Sequence, residues 1–285
     1  MRTTLLCTFV LVSGASMALA QGDPPPVIRV YVEQVKPGKN AAHGKAESNI
    51  ARDFAKANYP AHYIALNAMS GANEAWFVEA HASFADVEKS EKASDAPALK
   101  ATMDQAMATD GEYLSGARSL IGVYRKDLSY EPANSPGMPK SRYMNVITFR
   151  FKMGSEQQLA ANLKEMVKIY SSAQLQQPAL LYQVISGAPG GTYLLFEPIV
   201  SLAEWDNYPA MMLALRTAGG RRFDTLQKEL TDITVFHEGR LMSIDPKMSY
   251  ISKEFAAGDP DFWTPKPKPA TKPASKSGAA KQTGQ

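Results

Sequence analysis

The chain has 285 residues, 45% hydrophobic and 9% aromatic, with one cysteine and a formal net charge of +3. That length suits one large or two ordinary domains with a real core. It excludes a wholly disordered chain, a collagen-like repeat and a disulfide-stapled miniprotein.

Residues 1–20 read as a signal peptide: Arg2 supplies a positive charge, Leu5 to Val12 an apolar run, and Ala18-Leu19-Ala20 a small-x-small cleavage site. Cleavage there starts the mature chain at Gln21 and makes it a periplasmic or secreted protein. The run is too short for a bilayer, and no later stretch approaches about 18 consecutive apolar residues, so no transmembrane segment is expected. Cys7 lies inside the leader, which leaves a mature chain without thiol, disulfide or thiolate metal site.

In chain order, β-branched and aromatic runs predict strands over 27–35, 61–69, 75–82 and 118–126, and helical periodicity predicts helices over 41–57 and 84–116. Residues 127–142, with Pro132, Pro136, Gly137 and Pro139, read as a linker. Residues 143–245 then repeat the pattern. Val27 to Gly38 lines up with Tyr143 to Gly154, both strand-like and both closing on Lys-x-Gly. Farther on, Glu79 matches Glu197, Ser83-Phe84-Ala85-Asp86 matches Ser201-Leu202-Ala203-Glu204, and Leu128-Ser129-Tyr130 matches Met248-Ser249-Tyr250. The hairpin turns are Ser70 to Glu74 and Gly187 to Gly191. Internal similarity of this kind marks repeated architecture. Residues 264–285 are Lys/Pro-rich and carry five lysines and no acid, so a disordered tail is expected. With those lysines and Arg2 set aside, 25 basic residues face 28 acidic ones. The body is mildly acidic, which argues against nucleic-acid binding, while the tail suits contact with an anionic envelope surface.

The fold class expected is α+β. Residues 27–126 and 143–245 form two tandem ferredoxin-like βαββαβ units, joined by the linker 127–142, that close an intrachain α/β barrel. The aromatic-led strand Ala75-Trp76-Phe77-Val78-Glu79 running into Ser83-Phe84-Ala85-Asp86, and its counterpart Tyr193 to Glu197 running into Ser201 to Trp205, resemble the dimeric α/β-barrel proteins. That group includes antibiotic-biosynthesis-monooxygenase-like (ABM-like) and NIPSNAP-like domains. The resemblance implies anything from cofactor-free oxygenase to haem enzyme to inactive relative.

The two halves differ in their histidines. His43, His62 and His81 align with Leu159, Leu180 and Ile199, and Glu47 aligns with Leu163. His43 and Glu47 are four apart on one helix face; Glu79 and His81 are two apart on one strand face. If the open sheet face of the first unit lines a cleft, His81, Glu79 and His62 converge there. The chemistry open to them is general base catalysis, a divalent metal held by His/His/Glu, or a haem ligand. The bland alternative is an exposed His43–Glu47 ion pair. By the resemblance, Trp76 with Asn67 and Arg29 corresponds to a set that positions a planar phenolic substrate; by residue type, Trp76 is core. No spacing here matches a standard metal or haem motif, so neither cofactor nor metal is expected. The leading expectation is a protein that binds a small apolar or aromatic ligand between the sheets, contacted by His43, Glu47 and Glu79. The alternative is a cofactor-independent monooxygenase acting on a planar organic substrate, with His81, His62 and Trp76 at the chemistry.

Overall fold

The computed structural model describes residues 24–133 and 135–264. The leader, and all of the expected tail but Thr264, lie outside the described residues. The first half runs β1 (Val27–Val35), α1 (Asn40–Ala57), β2 (His62–Ala68), β3 (Glu74–His81), α2 (Phe84–Ser94), α3 (Pro97–Gly111) and β4 (Leu114–Tyr124). The second runs β5 (Tyr143–Phe151), α4 (Glu156–Ser172), β6 (Leu180–Ser186), β7 (Thr192–Ile199), α5 (Tyr208–Ile233) and β8 (Thr234–Tyr250), followed by the short helices α6 (Lys253–Ala256) and α7 (Pro260–Trp263).

All eight strands close one antiparallel barrel in the order β1-β3-β2-β8-β5-β7-β6-β4. The order β4-β1-β3-β2 is therefore met again as β8-β5-β7-β6. The seams between halves match as well: Gly122 faces Val184 across β4–β6, and Met242 faces Ala68 across β8–β2. Closure leaves no unpaired strand edge among the described residues.

Strand alternation sorts side chains to two environments. Ile28, Val30 and Val32 of β1 point inward with Trp76, Met144, Val146 and Leu194. Val35, Ala75 and Phe77 point outward and pack against Ala51 of α1. In the second half Phe151 and Tyr193 do the same beneath α4, packing against its Leu159.

Four details depart from the sequence reading. The single helix expected over 84–116 is two, because Pro97 has no N–H to continue a helix and takes the first turn of α3 instead; β4 then starts earlier, at Leu114. Ile64 pairs with Val78 as Leu180 pairs with Phe196, so Ile64, not His62, holds the place of Leu180. The two extra residues of the second half fall between β6 and β7, and an even offset preserves the faces. β8 continues past 245 to Tyr250. The segment after it folds back, and Phe255 and Trp263 join the inner core, with Trp263 Nε1 donating to the Pro139 carbonyl at 2.8 Å.

Gly187 has φ +86°, and a Cβ there would lie 2.0 Å from the Ser119 carbonyl oxygen. The β6–β7 turn can press on β4 only because that residue is glycine. No helix among the described residues is long and apolar enough to cross a membrane.

Candidate functional site

A cavity of about 460 Å³ opens at one mouth of the barrel. Its wall consists of inward side chains from both halves, among them Ile64, Val78, Ala80, Leu180, Tyr182 and Phe196. Residues 131–132 and 135–140 of the connection form a lid, with Pro132, Pro136, Met138 and Pro139 facing the cavity and Glu131, Ser135 and Lys140 among its polar lining residues. The Tyr182 hydroxyl donates to the Pro25 carbonyl at 3.2 Å. An apolar wall with a few polar groups is the usual make-up of a small-molecule site.

None of the expected site residues lines this cavity. Trp76 points inward, but it is 1% exposed and packed within the core. Its Nε1 donates to Glu74 Oε2 at 2.9 Å, and the Arg240 guanidinium lies 5.7 Å from its ring centre. Glu74 is in turn paired with Arg240 at 3.1 Å. Asn67 Nδ2 lies 3.4 Å from Asp245 and Arg29 is paired with Glu79, so the tryptophan–asparagine–arginine set is not assembled.

Glu79 and His81 share a face and touch, Nε2 to Oε2, at 3.2 Å. That face is the outer one. Arg29 Nε donates to Glu79 at 2.7 Å, and the guanidinium goes on to Glu91 and Ser90 of α2. Burial pushes the Glu79 carboxyl up, but hydrogen bonds from His81 and Arg29 outweigh it and hold the group below its usual range. The trio pins α2 to the sheet. His62 is half-buried and stacked on Tyr250 at 4.7 Å; burial lowers its pKa, and Glu254 opposes that. The convergence of His81, Glu79 and His62 beside Trp76 is therefore not realised. The face they were expected to share is divided by the pleat, which turns Trp76 inward and Glu79 and His81 outward.

His43 and Glu47 share the buried face of α1 and are not an exposed pair. They meet Glu33, pointing outward from β1, and Asp110, in the last turn of α3. None of the four is more than 6% exposed. His43 Nδ1 is 2.8 Å from Asp110 Oδ1, and His43 Nε2 is 3.7 Å from Glu33 Oε2. One ligand-type atom from each of the four lies within 4.8 Å of all the others. Burial, then the Asp110 charge, pushes the Glu33 carboxyl up to about 7 against the pull of His43. Burial, then Glu33 and Asp110, pushes Glu47 up as well. One imidazole and three carboxylates make a set able to hold a divalent cation. Sequence reasoning found His43 and Glu47 and missed Glu33 and Asp110. The available signal was that Glu33 is the one acid in the strand run Val27–Val35.

No family model matches the chain, and no curated protein matches it in sequence. Solved structures do match. An anthrone oxidase-like protein superposes with a TM-score of 0.56 at 12% identity, covering 81% of this chain and 96% of its own. A candidate monooxygenase from Fusobacterium nucleatum subsp. nucleatum superposes with a TM-score of 0.54 at 12% identity, covering 77% of this chain and 92% of its own. These likenesses establish a shared fold alone, an α+β architecture, here with eight antiparallel strands closed into one barrel.

Proposed function

We propose that this is an exported protein that binds a small apolar or aromatic molecule in the barrel-mouth cavity. The observation that carries the reading is the cavity itself: about 460 Å³, walled by apolar residues from both halves and lidded by the proline-rich connection. That volume is in the range of pockets that enclose small organic ligands. The two halves are read as tandem ferredoxin-like units, the relation expected of ABM-like or NIPSNAP-like domains, and the recurring strand order supports this. His43, Glu47 and Glu79 do not line this cavity.

The test is native mass spectrometry of the protein recovered from its own host, followed by titration with anilinonaphthalene sulfonate. Extra mass lost on denaturation, or saturable probe binding weakened at least about tenfold by Ala80→Phe, is the expected result. Binding that ignores Ala80→Phe in a variant of unchanged melting temperature would overturn it.

A second reading, cofactor-independent oxygenation of a planar organic substrate, is favoured by the fold shared with the anthrone oxidase-like protein. Its base would have to come from the lid, where Glu131 accepts a hydrogen bond from the Tyr124 hydroxyl at 2.5 Å. Oxygen uptake with anthrone as substrate, lost in Glu131→Gln, separates this reading from simple binding.

A further inference from the structure

The four groups beneath α1 present more acceptors than donors. If His43 Nδ1–H donates to Asp110 Oδ1, the lone pair on Nε2 faces the Glu33 carboxylate, and Glu33 Oε2, His43 Nε2 and Asp110 Oδ2 have no hydrogen-bond partner. Among the described residues the charge partner of Glu33 and Asp110 is His43 alone. Buried carboxylates without donors are costly, and native structures rarely keep several together.

The second half supplies an internal control. His43 corresponds to Leu159 and Glu47 to Leu163 along α1 and α4, and Glu33 corresponds to Phe149 along β1 and β5. Lys36 N–H donates to the Tyr113 carbonyl as Lys152 N–H donates to that of Ile233, so Asp110, three residues earlier, corresponds to Leu230. Those four counterparts, Phe149, Leu159, Leu163 and Leu230, pack in one hydrophobic cluster. The architecture thus closes at this place with apolar side chains. The first half has exchanged all four together for ionisable ones, which packing alone does not call for.

We propose that Glu33, His43 and Glu47 bind one divalent transition-metal ion of the zinc or manganese kind, with Asp110 holding the His43 ring from the far side, so that the site ties α1 and α3 to β1. A cation about 2.1 Å from each of His43 Nε2 and Glu33 Oε2 fits between atoms that lie 3.7 Å apart. The Asp110 contact to Nδ1 sets the tautomer and orients the ring, the usual companion of a metal-bound histidine. The ligands meet between the outer face of the sheet and α1, away from the ligand cavity, so the metal's role is structural and the proposal is independent of the function proposed above.

The test uses the full-length protein without an affinity tag, stripped with chelator and titrated separately with Zn²⁺ and Mn²⁺, followed by metal analysis and thermal melting. Uptake of about one equivalent with a rise in melting temperature is expected for at least one ion, and the double variant His43→Gln/Asp110→Asn should weaken it about 100-fold or more. The variant Glu33→Phe/His43→Leu/Glu47→Leu/Asp110→Leu, copied from the second half, should fold and melt identically with and without metal. No uptake and no shift with either ion would overturn the proposal. So would stoichiometric uptake that survives in the fourfold variant, since the metal would then sit elsewhere. Anilinonaphthalene sulfonate binding, read in parallel, should not follow the metal.

Discussion

Ser129 and Ser249 make the same contact in opposite directions. Ser129 Oγ accepts the Leu181 N–H at 2.9 Å and donates to its own Arg125 carbonyl; Ser249 Oγ accepts the Ala65 N–H at 2.9 Å and donates to its own Asp245 carbonyl. The tyrosines that follow act alike, Tyr130 donating to the Leu175 carbonyl and Tyr250 to that of Tyr59. Each half therefore ends by fastening itself to the second strand of the other, and the barrel is closed by two reciprocal clasps.

Removing either clasp leaves a buried N–H without a partner. Ser129→Ala and Ser249→Ala should each cost about 1–3 kcal/mol. The two share no partner, so the double variant should lose close to the sum. Urea denaturation of the three variants measures both claims.

Phe255 and Trp263 make the segment after β8 part of the core. Trp263→Ala should cost about 3–5 kcal/mol by the cavity it opens. Trp205 is 40% exposed, and Trp205→Ala should change stability by no more than about 0.5 kcal/mol. Equal effects in chemical denaturation would show that the segment does not plug the barrel.

Glu79 is held below the ordinary carboxylate range, so the folded state binds its proton less tightly than the unfolded chain does. Its contribution is complete above the unfolded value of about 4.3 and is lost as pH falls through the lower folded value. Glu79→Gln should be less stable at neutral pH, having broken a buried pair with Arg29. Its stability should also decline less steeply below about pH 4.5. Melting curves between pH 3 and 7 test the slope.

Glu33 behaves in the opposite sense in the metal-free protein. Its carboxyl is pushed up to about 7, so its contribution is complete below the unfolded value of about 4.3 and is lost as pH rises through 7. The melting temperature of chelator-treated protein should fall between pH 5 and 8, and Glu33→Phe should flatten that fall. A metal-free protein equally stable at both ends of this range would contradict the assignment.

Much of the fold was legible because it rests on local rules. A run rich in β-branched and aromatic residues marked β1 at its observed bounds, and the i, i+4 spacing put His43 and Glu47 on one face of α1. The tie between residues 128–130 and 248–250 was visible as well, and it proved to be the pair of clasps. Pro97 is a local signal as well: without an N–H it divides the helix expected over 84–116.

Sequence alone determined most of the strands and helices, their recurring order and which residues of one element share a face, because periodicity follows from backbone geometry within a few residues. Tertiary structure decided which face is inside. An alternating strand specifies two sets of side chains and says nothing of which one meets the helices. Thus Glu79 and His81 share a face, as their spacing requires, but that face lies beneath α2 and not in a cleft. The meeting of His43 with Asp110, 67 residues away, depends on α3 packing across α1. A contact of that separation leaves no mark in local spacing; only packing brings the four ligand-type groups together.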